Sequence, residues 1–223
     1  MPLITSANIA CGAHAGDAAT MRATVALARA QGVAVGAHPG FADRVNFGRV
    51  EHPLTTDALH HLVTSQIEAL RALGPVRHVK PHGALYNVAA RDRTVAAVIA
   101  DAVYACDPNL VLFGLAGSEL VRAGQARGLR VAHEVFADRT YQADGSLTPR
   151  ARPDALITDA AVAVAQVIRM VREGVVRATD GTTVAVVADT VCLHGDGAHA
   201  VAFAQQLGRE LRAAGIALKE WGA

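Results

Sequence analysis

The sequence alternates short apolar runs with segments of helical periodicity, and most of the runs end in a histidine. When strands alternate with helices in this way, the strands run parallel and their carboxyl ends meet at one face of the fold. Histidines that lie far apart in the chain should therefore line one cleft, and we predict an active site there. Five of the six runs end in this way, at His14, His38, His82, His133 and His194, and the exception ends in the stretch 114–118.

The same alternation predicts the secondary structure. A chain of 223 residues fits one α/β domain, and because no linker divides it we predict a single domain over residues 1–223. The predicted strands are 3–10, 33–37, 76–80, 110–115, 129–135 and 189–194. The predicted helices are 17–31, 55–73, 91–105, 118–128, 159–173 and 198–214, with a hairpin at 175–187 closed by a type I′ turn at Asp180-Gly181. Long loops at 39–53 and 137–158 are interpreted either as lids or as surface decoration.

Charge, hydropathy and cysteine content exclude several classes of partner. The net charge of +1 gives no electrostatic reason to bind nucleic acid or an anionic membrane. No apolar stretch reaches the roughly 18 residues of a membrane span. The three cysteines are far apart, odd in number and without a C-x-x-C spacing, which argues against a disulfide framework and for a reducing compartment. We predict a soluble, cytoplasmic protein in which Cys11 and Cys192 are buried thiols rather than nucleophiles.

The stretch Lys80-Pro81-His82-Gly83 is the one most suggestive of chemistry. The proline ends the strand and the glycine permits a tight turn, so the side chains of Lys80 and His82 should both reach the cleft. A lysine there can anchor a carboxylate or a phosphate, and Tyr86 and Asn87 follow in the same loop as hydrogen-bonding groups. The alternative is a surface lysine with a turn-stabilising histidine.

Two further histidines are candidates for the same cleft. His14 is followed three residues later by Asp17. This residue is interpreted as a helix cap, as a carboxylate that orients the imidazole of His14, or as a metal ligand. His38 precedes a proline, which holds its backbone extended. His14, His38 and His82 would together suit a divalent metal such as zinc, manganese or nickel, or the same rings would shuttle protons. No H-E-x-x-H motif supports the metal.

The remaining candidates lie at other strand ends. Gly114, Gly117 and Ser118 join a strand to a helix start, where backbone N–H groups can bind an anion. The Walker A and G-x-S-x-G patterns are absent. Arg139 follows the fifth strand and is a candidate for binding substrate or phosphate, or its pair with the neighbouring carboxylate braces the loop. The sixth strand is bracketed by Asp189, which is catalytic or structural, and by His194 and Asp196 on the predicted active face.

Several stretches resemble, in order, the motifs of the LamB/YcsF family. They are 5–17, 36–41, 78–87, 114–119, 134–139, 188–190 and 194–197, and the similarity runs from Met1 to about residue 215. The resemblance implies a TIM-like (β/α) barrel of fewer than eight strands, of the seven-stranded type, related to the polysaccharide deacetylase-like barrels. It also implies ATP-dependent opening of 5-oxo-L-proline to L-glutamate, a reaction shared with B and C subunits.

That chemistry gives the candidate residues roles. A five-membered lactam is an unactivated amide, and phosphorylation of its oxygen turns that oxygen into a leaving group. Lys80 and the helix start at 114–118 are candidates for charge stabilisation. His14, His38 and His82 are candidates for base, acid or metal ligand. ATP is therefore the expected cofactor, with a divalent metal as a further candidate, and a homo-oligomer is an additional possibility.

One departure from the family pattern bears on this expectation. Family members carry an upstream strand with the sequence Asp-Leu-Asn-Cys-Asp-Leu-Gly-Glu, whereas Met1 of this chain aligns with an interior stretch. Either the start was assigned too late or the chain is shortened, and the first barrel strand is then missing. Two alternative functions stay open: a metal-dependent deacetylase or amidohydrolase acting on a sugar or small amide, and a non-catalytic scaffold subunit.

Overall fold

The computed structural model describes residues 1–195 and 200–220. Its strands are β1 Ser6–Ala10, β2 Ala34–His38, β3 His78–Val79, β4 Val111–Leu115, β5 Arg130–Phe136, β6 Val175–Arg177, β7 Thr183–Ala185 and β8 Thr190–Cys192. Its helices are α1 Ala18–Ala30, α2 Thr56–Arg71, α3 Gly83–Arg91, α4 Arg93–Cys106, α5 Glu119–Arg127, α6 Ala160–Glu173 and α7 Ala200–Ala213. The predicted site residue Asp196 lies outside the described residues.

The strands form the parallel arrangement that the alternating pattern predicts. Hydrogen bonds join six of them in the order β1-β2-β3-β4-β5-β8, and a second sheet joins β6 and β7. The pairs β1–β2, β2–β3, β3–β4 and β5–β8 are parallel, whereas β6–β7 is antiparallel. The α/β class and the count of fewer than eight parallel strands are thus confirmed for the residues that the structure describes.

The chain divides into two compact units. The first comprises residues 1–114 and 118–132, and the second comprises 115–117 and 133–223. The prediction of one domain stays a prediction. The first unit has an aliphatic core in which α2 and α4 pack side chains at helical spacing. These side chains are fully buried and include Val63, Ile67, Leu70, Ile99 and Val103.

Short polar side chains begin the helices where the sequence predicts. Asp17 accepts a hydrogen bond from the backbone N–H of Thr20, and Thr55, Ser118 and Asp159 cap α2, α5 and α6 in the same way. Each oxygen satisfies an N–H group that the first helical turn leaves without a partner. The predicted starts of these four helices are therefore confirmed, and their boundaries are set by local chemistry.

The segment after His82 differs from the sequence prediction. The sequence predicts a loop at Tyr86 and Asn87, but the structure has a helix, α3, that begins at Gly83 and ends at Arg91. The residue that ends α3, Asp92, also begins α4, because its carboxylate accepts from the N–H groups of Thr94 and Val95. The single helix predicted from residue 91 is thus the second of two, and Tyr86 is fixed by a helix rather than by a turn.

The hairpin between β6 and β7 also differs in its turn. A type I′ turn needs positive φ at both central residues. Gly181 meets this requirement with φ +88°, but Asp180 does not, because Phe47 is the one non-glycine residue with positive φ among those described. The N–H of Gly181 donates to Ala178 O, and the N–H of Ala178 donates to Thr182 O. The connection is therefore a type I turn followed by a left-handed glycine, which is the usual three-residue hairpin loop.

None of the helices within the described residues is long and apolar enough to cross a membrane. The three cysteines are free, and Cys11 and Cys192 are buried as predicted. Burial raises the pKa of the Cys11 thiol to about 11, so Cys11 is a packed thiol and not a nucleophile near neutral pH.

His78 is a packing residue of the first unit. It is 2% exposed and stacks on Phe113 with ring centroids 4.3 Å apart. Its Nε2 donates to Oδ1 of Asn8 at 2.9 Å. A Cβ atom on Gly36 would come within 2.0 Å of this nitrogen, so the ring occupies the space that a side chain would need. Burial, and then the charge of Lys80, lower the pKa of His78 to about 3.

We expect the His78 ring to stay neutral in the folded protein until the pH approaches 3. An unfolded chain takes up this proton near pH 6.5, so the contribution of His78 to stability is present above that pH and is lost as the pH falls toward 3. An NMR titration of the imidazole measures the midpoint directly. A midpoint near 6.5 in the folded protein would contradict the burial described here.

Candidate active site

Four side chains meet at the carboxyl ends of the strands of the first unit. His14 follows β1, His38 is the last residue of β2, Lys80 follows β3 and His82 precedes α3. Backbone hydrogen bonds extend the strand pairing past β3, from Lys80 N–H to Ala37 O at 2.9 Å. The strand order therefore brings these residues together, as the alternating pattern predicts.

The three imidazole rings are in direct contact. His14 and His82 are parallel, with ring centroids 3.8 Å apart. His38 lies edge-on to both, at 4.8 Å from His82 and 5.8 Å from His14. The predicted convergence of these histidines is confirmed. Their individual catalytic roles stay predictions.

Hydrogen bonds join His38 and His82 into a pair between two backbone carbonyls. His38 Nδ1 donates to Lys80 O at 2.6 Å, and His82 Nε2 donates to Phe47 O at 2.8 Å. Between the rings, His38 Nε2 and His82 Nδ1 are 3.0 Å apart. A carbonyl oxygen can only accept, so three hydrogen bonds need three protons, whereas two neutral rings supply two. The pair can therefore hold one additional proton.

Burial decides where that proton lies. Burial, followed by the charge of Lys80, holds the pKa of His38 well below its ordinary value. His38 then stays neutral, donating through Nδ1 and accepting at Nε2. In a pair that holds the additional proton, His82 Nδ1 therefore donates to His38 Nε2.

His14 is neutral at physiological pH for the same reason. It is 2% exposed, and burial, followed by the charges of His82, Arg44 and Arg49, lowers its pKa to about 4. Its Nδ1 is buried with no hydrogen-bond partner among the described residues. A buried polar atom without a partner costs free energy, so this nitrogen is a place where a ligand would gain a hydrogen bond.

Lys80 adds a buried cation to the cluster. It is 5% exposed, and its Nζ lies 5.5 Å from the centroid of the Tyr86 ring, within the range of a cation–π contact. Tyr86 is itself buried on α3, whereas Asn87 on the same helix is exposed. The cluster thus places a lysine ammonium beside three imidazole rings.

The loop at 39–53 covers the cluster and makes close backbone approaches to it. Gln66 of α2 fixes the loop by bonding both the N–H and the carbonyl of Gly40. A Cβ atom on Gly40 would come within 2.7 Å of His14 Nδ1, and one on Gly48 within 2.9 Å of His14 Cβ. Phe47 has φ +56°, an unfavourable conformation for a non-glycine residue. Its ring lies edge-on to His14 and His82.

The cluster as it stands does not fit a metal ion. Both nitrogens of His38 and both of His82 take part in the hydrogen bonds described above. Within residues 1–195 and 200–220, no group of three or more His, Cys, Asp or Glu side chains is arranged to hold a metal. The metal site at His14, His38 and His82 stays a prediction.

The candidates of the second unit fall into different roles. Asp189 continues the β5–β8 ladder, since its carboxylate accepts from His133 N–H at 2.9 Å.

Arg139 is buried and donates to Thr148 O and Ala155 O, so it braces the loop through carbonyl groups rather than through a carboxylate. Burial lowers the pKa of Arg139 to about 10. His194 is bonded to Asp138.

Other predicted residues serve the fold. The carboxylate of Asp17 caps α1, and the hydroxyl of Ser118 accepts from Val121 N–H. A Cβ atom on Gly114 would come within 3.0 Å of Val121, so Gly114 lets α5 pack closely on β4. Gly117 has φ +75°, as a tight turn requires.

The first turn of α5 contains an ion-paired carboxylate. The acidic Glu119 already lies in the first turn of this helix, where a negative charge interacts favourably with the helix dipole, and it pairs with Arg93 and Arg122. The anion-binding role predicted for Gly114, Gly117 and Ser118 stays a prediction.

Sequence reasoning missed several residues that shape the site. Phe47, Gln66 and Gly48 were not singled out, because their roles depend on how one loop folds over the strand ends. The Phe-Gly pair at 47–48 is a turn signal that could have drawn attention to this place. The sequence pairs Asp138 with Arg139, its neighbour, whereas the structure pairs it with the distant His194.

The fold and the site define the class as a parallel α/β protein with a histidine and lysine cluster at its strand ends. The model of the LamB/YcsF family matches residues 1–223, and the chain belongs to this family.

Named relatives agree with this assignment. A protein of Shouchella clausii (strain KSM-K16), named as the A subunit of 5-oxoprolinase, is 59% identical over 98% of this chain and 88% of its own length. A protein of Bacillus subtilis (strain 168) with the same name is 57% identical over 96% of this chain and 85% of its own length. The crystal structure of a lactam utilization protein from Thermus thermophilus is similar with a TM-score of 0.91 and 46% identity, covering 98% of this chain and 89% of that one.

The close approach of Gly48 to the rings can be tested with a matched glycine. Gly48 and Gly32 have φ +64° and +65°, so alanine costs about 1–2 kcal/mol of backbone strain at either position. At Gly48 the new Cβ also meets His14 and His82, whereas at Gly32 nothing lies within 4 Å. We expect Gly48→Ala to lose about 1–3 kcal/mol more unfolding free energy than Gly32→Ala in urea denaturation. Equal losses would contradict the described packing.

Proposed function

We propose that this chain serves as the A component of an ATP-dependent 5-oxoprolinase, which opens 5-oxo-L-proline to L-glutamate together with B and C subunits. The relatives named above support the assignment to a 5-oxoprolinase. The observation that carries the proposal is the buried cluster of His14, His38, Lys80 and His82. We expect the reaction to take place in the cytoplasm, in line with three free cysteines.

The charge of the cluster suits this substrate. 5-Oxo-L-proline carries a carboxylate, and the Lys80 ammonium is buried beside a histidine pair that can hold one additional proton. An anion bound here would interact with both charges at low dielectric, where such interactions are strong. The unpartnered Nδ1 of His14 offers a further hydrogen bond.

The chemistry of the lactam explains the need for ATP. An unstrained amide is a poor electrophile, and ATP, as co-substrate, supplies the phosphoryl group that activates the lactam oxygen. Lys80 and the His38–His82 pair then hold the negative charge that develops at the activated carbonyl group. Charge stabilisation of this kind commonly contributes more to catalysis than any other single effect.

The alternative of a metal-dependent deacetylase is less well supported. It needs imidazole nitrogens that face a common point, whereas His38 and His82 direct their nitrogens at each other and at backbone carbonyls. We therefore favour a reaction in which these rings act through charge and hydrogen bonds.

Lys80 and Lys219 are the only lysines of the chain, and they form a matched pair for testing the proposal. In an assembly with B and C subunits, we expect Lys80→Ala to lower kcat/KM for 5-oxo-L-proline by about 100-fold, the cost of removing a buried charged partner. Lys219→Ala removes an exposed ammonium and should leave turnover unchanged. Glutamate release in the presence of ATP is the measurement.

Two results would contradict the proposal. One is the absence of glutamate release by the wild-type assembly. The other is equal turnover by Lys80→Ala and the wild type, after urea denaturation has shown that the variant is folded.

A further inference from the structure

The loop 39–53 of the first unit occupies a hydrogen-bonding position of the histidine cluster. His82 Nε2 donates to the carbonyl oxygen of Phe47 in this loop at 2.8 Å, and His82 Nδ1 is bonded to His38. A ring nitrogen carries at most one hydrogen. A ligand oxygen that accepts from His82 Nε2 therefore has to replace the Phe47 carbonyl.

A second carbonyl of the loop is bonded to the helix that follows His82. The N–H of Ala84, in the first turn of α3, donates to Gly48 O at 3.0 Å. The fit is close, since a Cβ atom on Gly83 would come within 2.6 Å of this oxygen. Ala84 N–H is one of the groups that a first helical turn leaves without an intrahelical partner. Its protection from solvent exchange therefore depends on the loop.

Phe47 is the residue through which the loop meets both stacked rings. Its ring lies edge-on to His14 and His82, with centroids 5.6 and 5.2 Å away. Its φ of +56° lies in the left-handed region, which is unfavourable for a residue with a side chain. Such a conformation persists where the surrounding contacts hold it. The contacts of the neighbouring loop residues therefore keep the Phe47 carbonyl on His82.

Exposed side chains supply those contacts. Arg91 of α3 has its Nη2 atom 2.6 and 2.8 Å from the two carboxylate oxygens of Glu51. The side chains of this pair are 58% and 55% exposed. Nearer the start of the loop, Arg44 donates to the carbonyl of Gly12 at 2.8 Å and also to that of Gly16. Ion pairs between exposed side chains contribute little to stability, so the Glu51–Arg91 contact breaks readily.

The beginning of the loop is held by a buried contact instead. Gln66 of α2 is 6% exposed, and it bonds both the N–H and the carbonyl of Gly40, at 3.0 and 2.9 Å. The loop is thus anchored at a buried base, whereas the segment 44–51 is held by exposed arginine contacts. This division allows the segment to lift from the cluster while the base of the loop stays in place.

We propose that the segment 44–51 is a lid, and that its Phe47 carbonyl holds the place on His82 Nε2 that an oxygen of the substrate carboxylate takes. This inference rests on the proposed function, which supplies 5-oxo-L-proline as the ligand. When the lid lifts, the ion pair of Glu51 with Arg91 breaks. The N–H of His82 then donates to the substrate carboxylate, which is a stronger acceptor than a neutral carbonyl because it is charged.

Loss of the ion pair should tighten substrate binding, because the closed lid competes with the ligand. The apparent dissociation constant is the intrinsic one divided by the fraction of molecules with an open lid. In the assembled enzyme we expect Glu51→Gln to lower the dissociation constant for 5-oxo-L-proline by about 2- to 5-fold, the population change that an exposed ion pair holds back. Isothermal titration calorimetry without ATP is the measurement.

Two variants serve as controls for this titration. Asp101→Asn breaks an exposed ion pair with Arg127 that joins α4 to α5 outside the loop, and it should keep the wild-type dissociation constant. Exchange of the two charges, by Glu51→Arg together with Arg91→Glu, should restore the wild-type value because the ion pair can form again.

Hydrogen exchange in the chain alone measures the lid without any ligand. Because Ala84 N–H is bonded to Gly48 O of the lid, NMR should show that it exchanges about 2- to 5-fold faster in Glu51→Gln than in the wild type. Lys80 N–H donates to Ala37 O at the end of the strand ladder. It should exchange at the same rate in both proteins.

The outcomes separate this inference from the proposed function. Unchanged exchange of Ala84 N–H in Glu51→Gln, or equal or weaker binding of 5-oxo-L-proline, would overturn the inference while the wild-type assembly still releases glutamate. A wild-type assembly that releases no glutamate would overturn the proposed function, and with it the ligand named for the lid. Faster exchange together with tighter binding would support the lid and the place assigned to the substrate carboxylate.

Discussion

The parallel pairing of β2 with β3 is the constraint on which the candidate active site depends. Because Ala37 stands opposite Val79, the next residues along the two strands are His38 and Lys80. The carbonyl of Lys80 then lies within reach of His38 Nδ1, which fixes the His38 ring and directs its other nitrogen at His82. A shift of one residue in this register would separate the two rings and turn the side chains to opposite faces.

The second unit uses the same physical arrangement. Phe136 and Cys192 are opposite each other in parallel strands, and the side chains two residues later form the pair of Asp138 and His194. In both places a ring nitrogen of a histidine is held by an acceptor that comes from a neighbouring strand end. The acceptor is a backbone carbonyl for His38 and a carboxylate for His194. That difference gives the two histidines different chemistry, since an ionised carboxylate stabilises a positively charged ring more strongly than a neutral carbonyl does.

Sequence reasoning predicted the parts of this structure that depend on local pattern. The strand and helix order, the caps and the convergence of His14, His38 and His82 follow from periodicity, from capping chemistry and from the rule for parallel strands. The helix α3 was missed because the His-Gly pair before it is also a turn signal. The roles of Phe47 and Asp138 were missed because they arise from contacts over 35 and 56 positions of the chain. No local pattern encodes such contacts.

In the proposed function, the buried cluster of His14, His38, Lys80 and His82 binds the carboxylate or the activated lactam group of the substrate. The most direct test of this central claim is a crystal structure of the assembled enzyme with 5-oxo-L-proline bound. We predict an oxygen of the ligand within hydrogen-bonding distance of the Lys80 ammonium, beside the stacked rings of His14 and His82. A ligand bound without contact to any of these four side chains would contradict the claim.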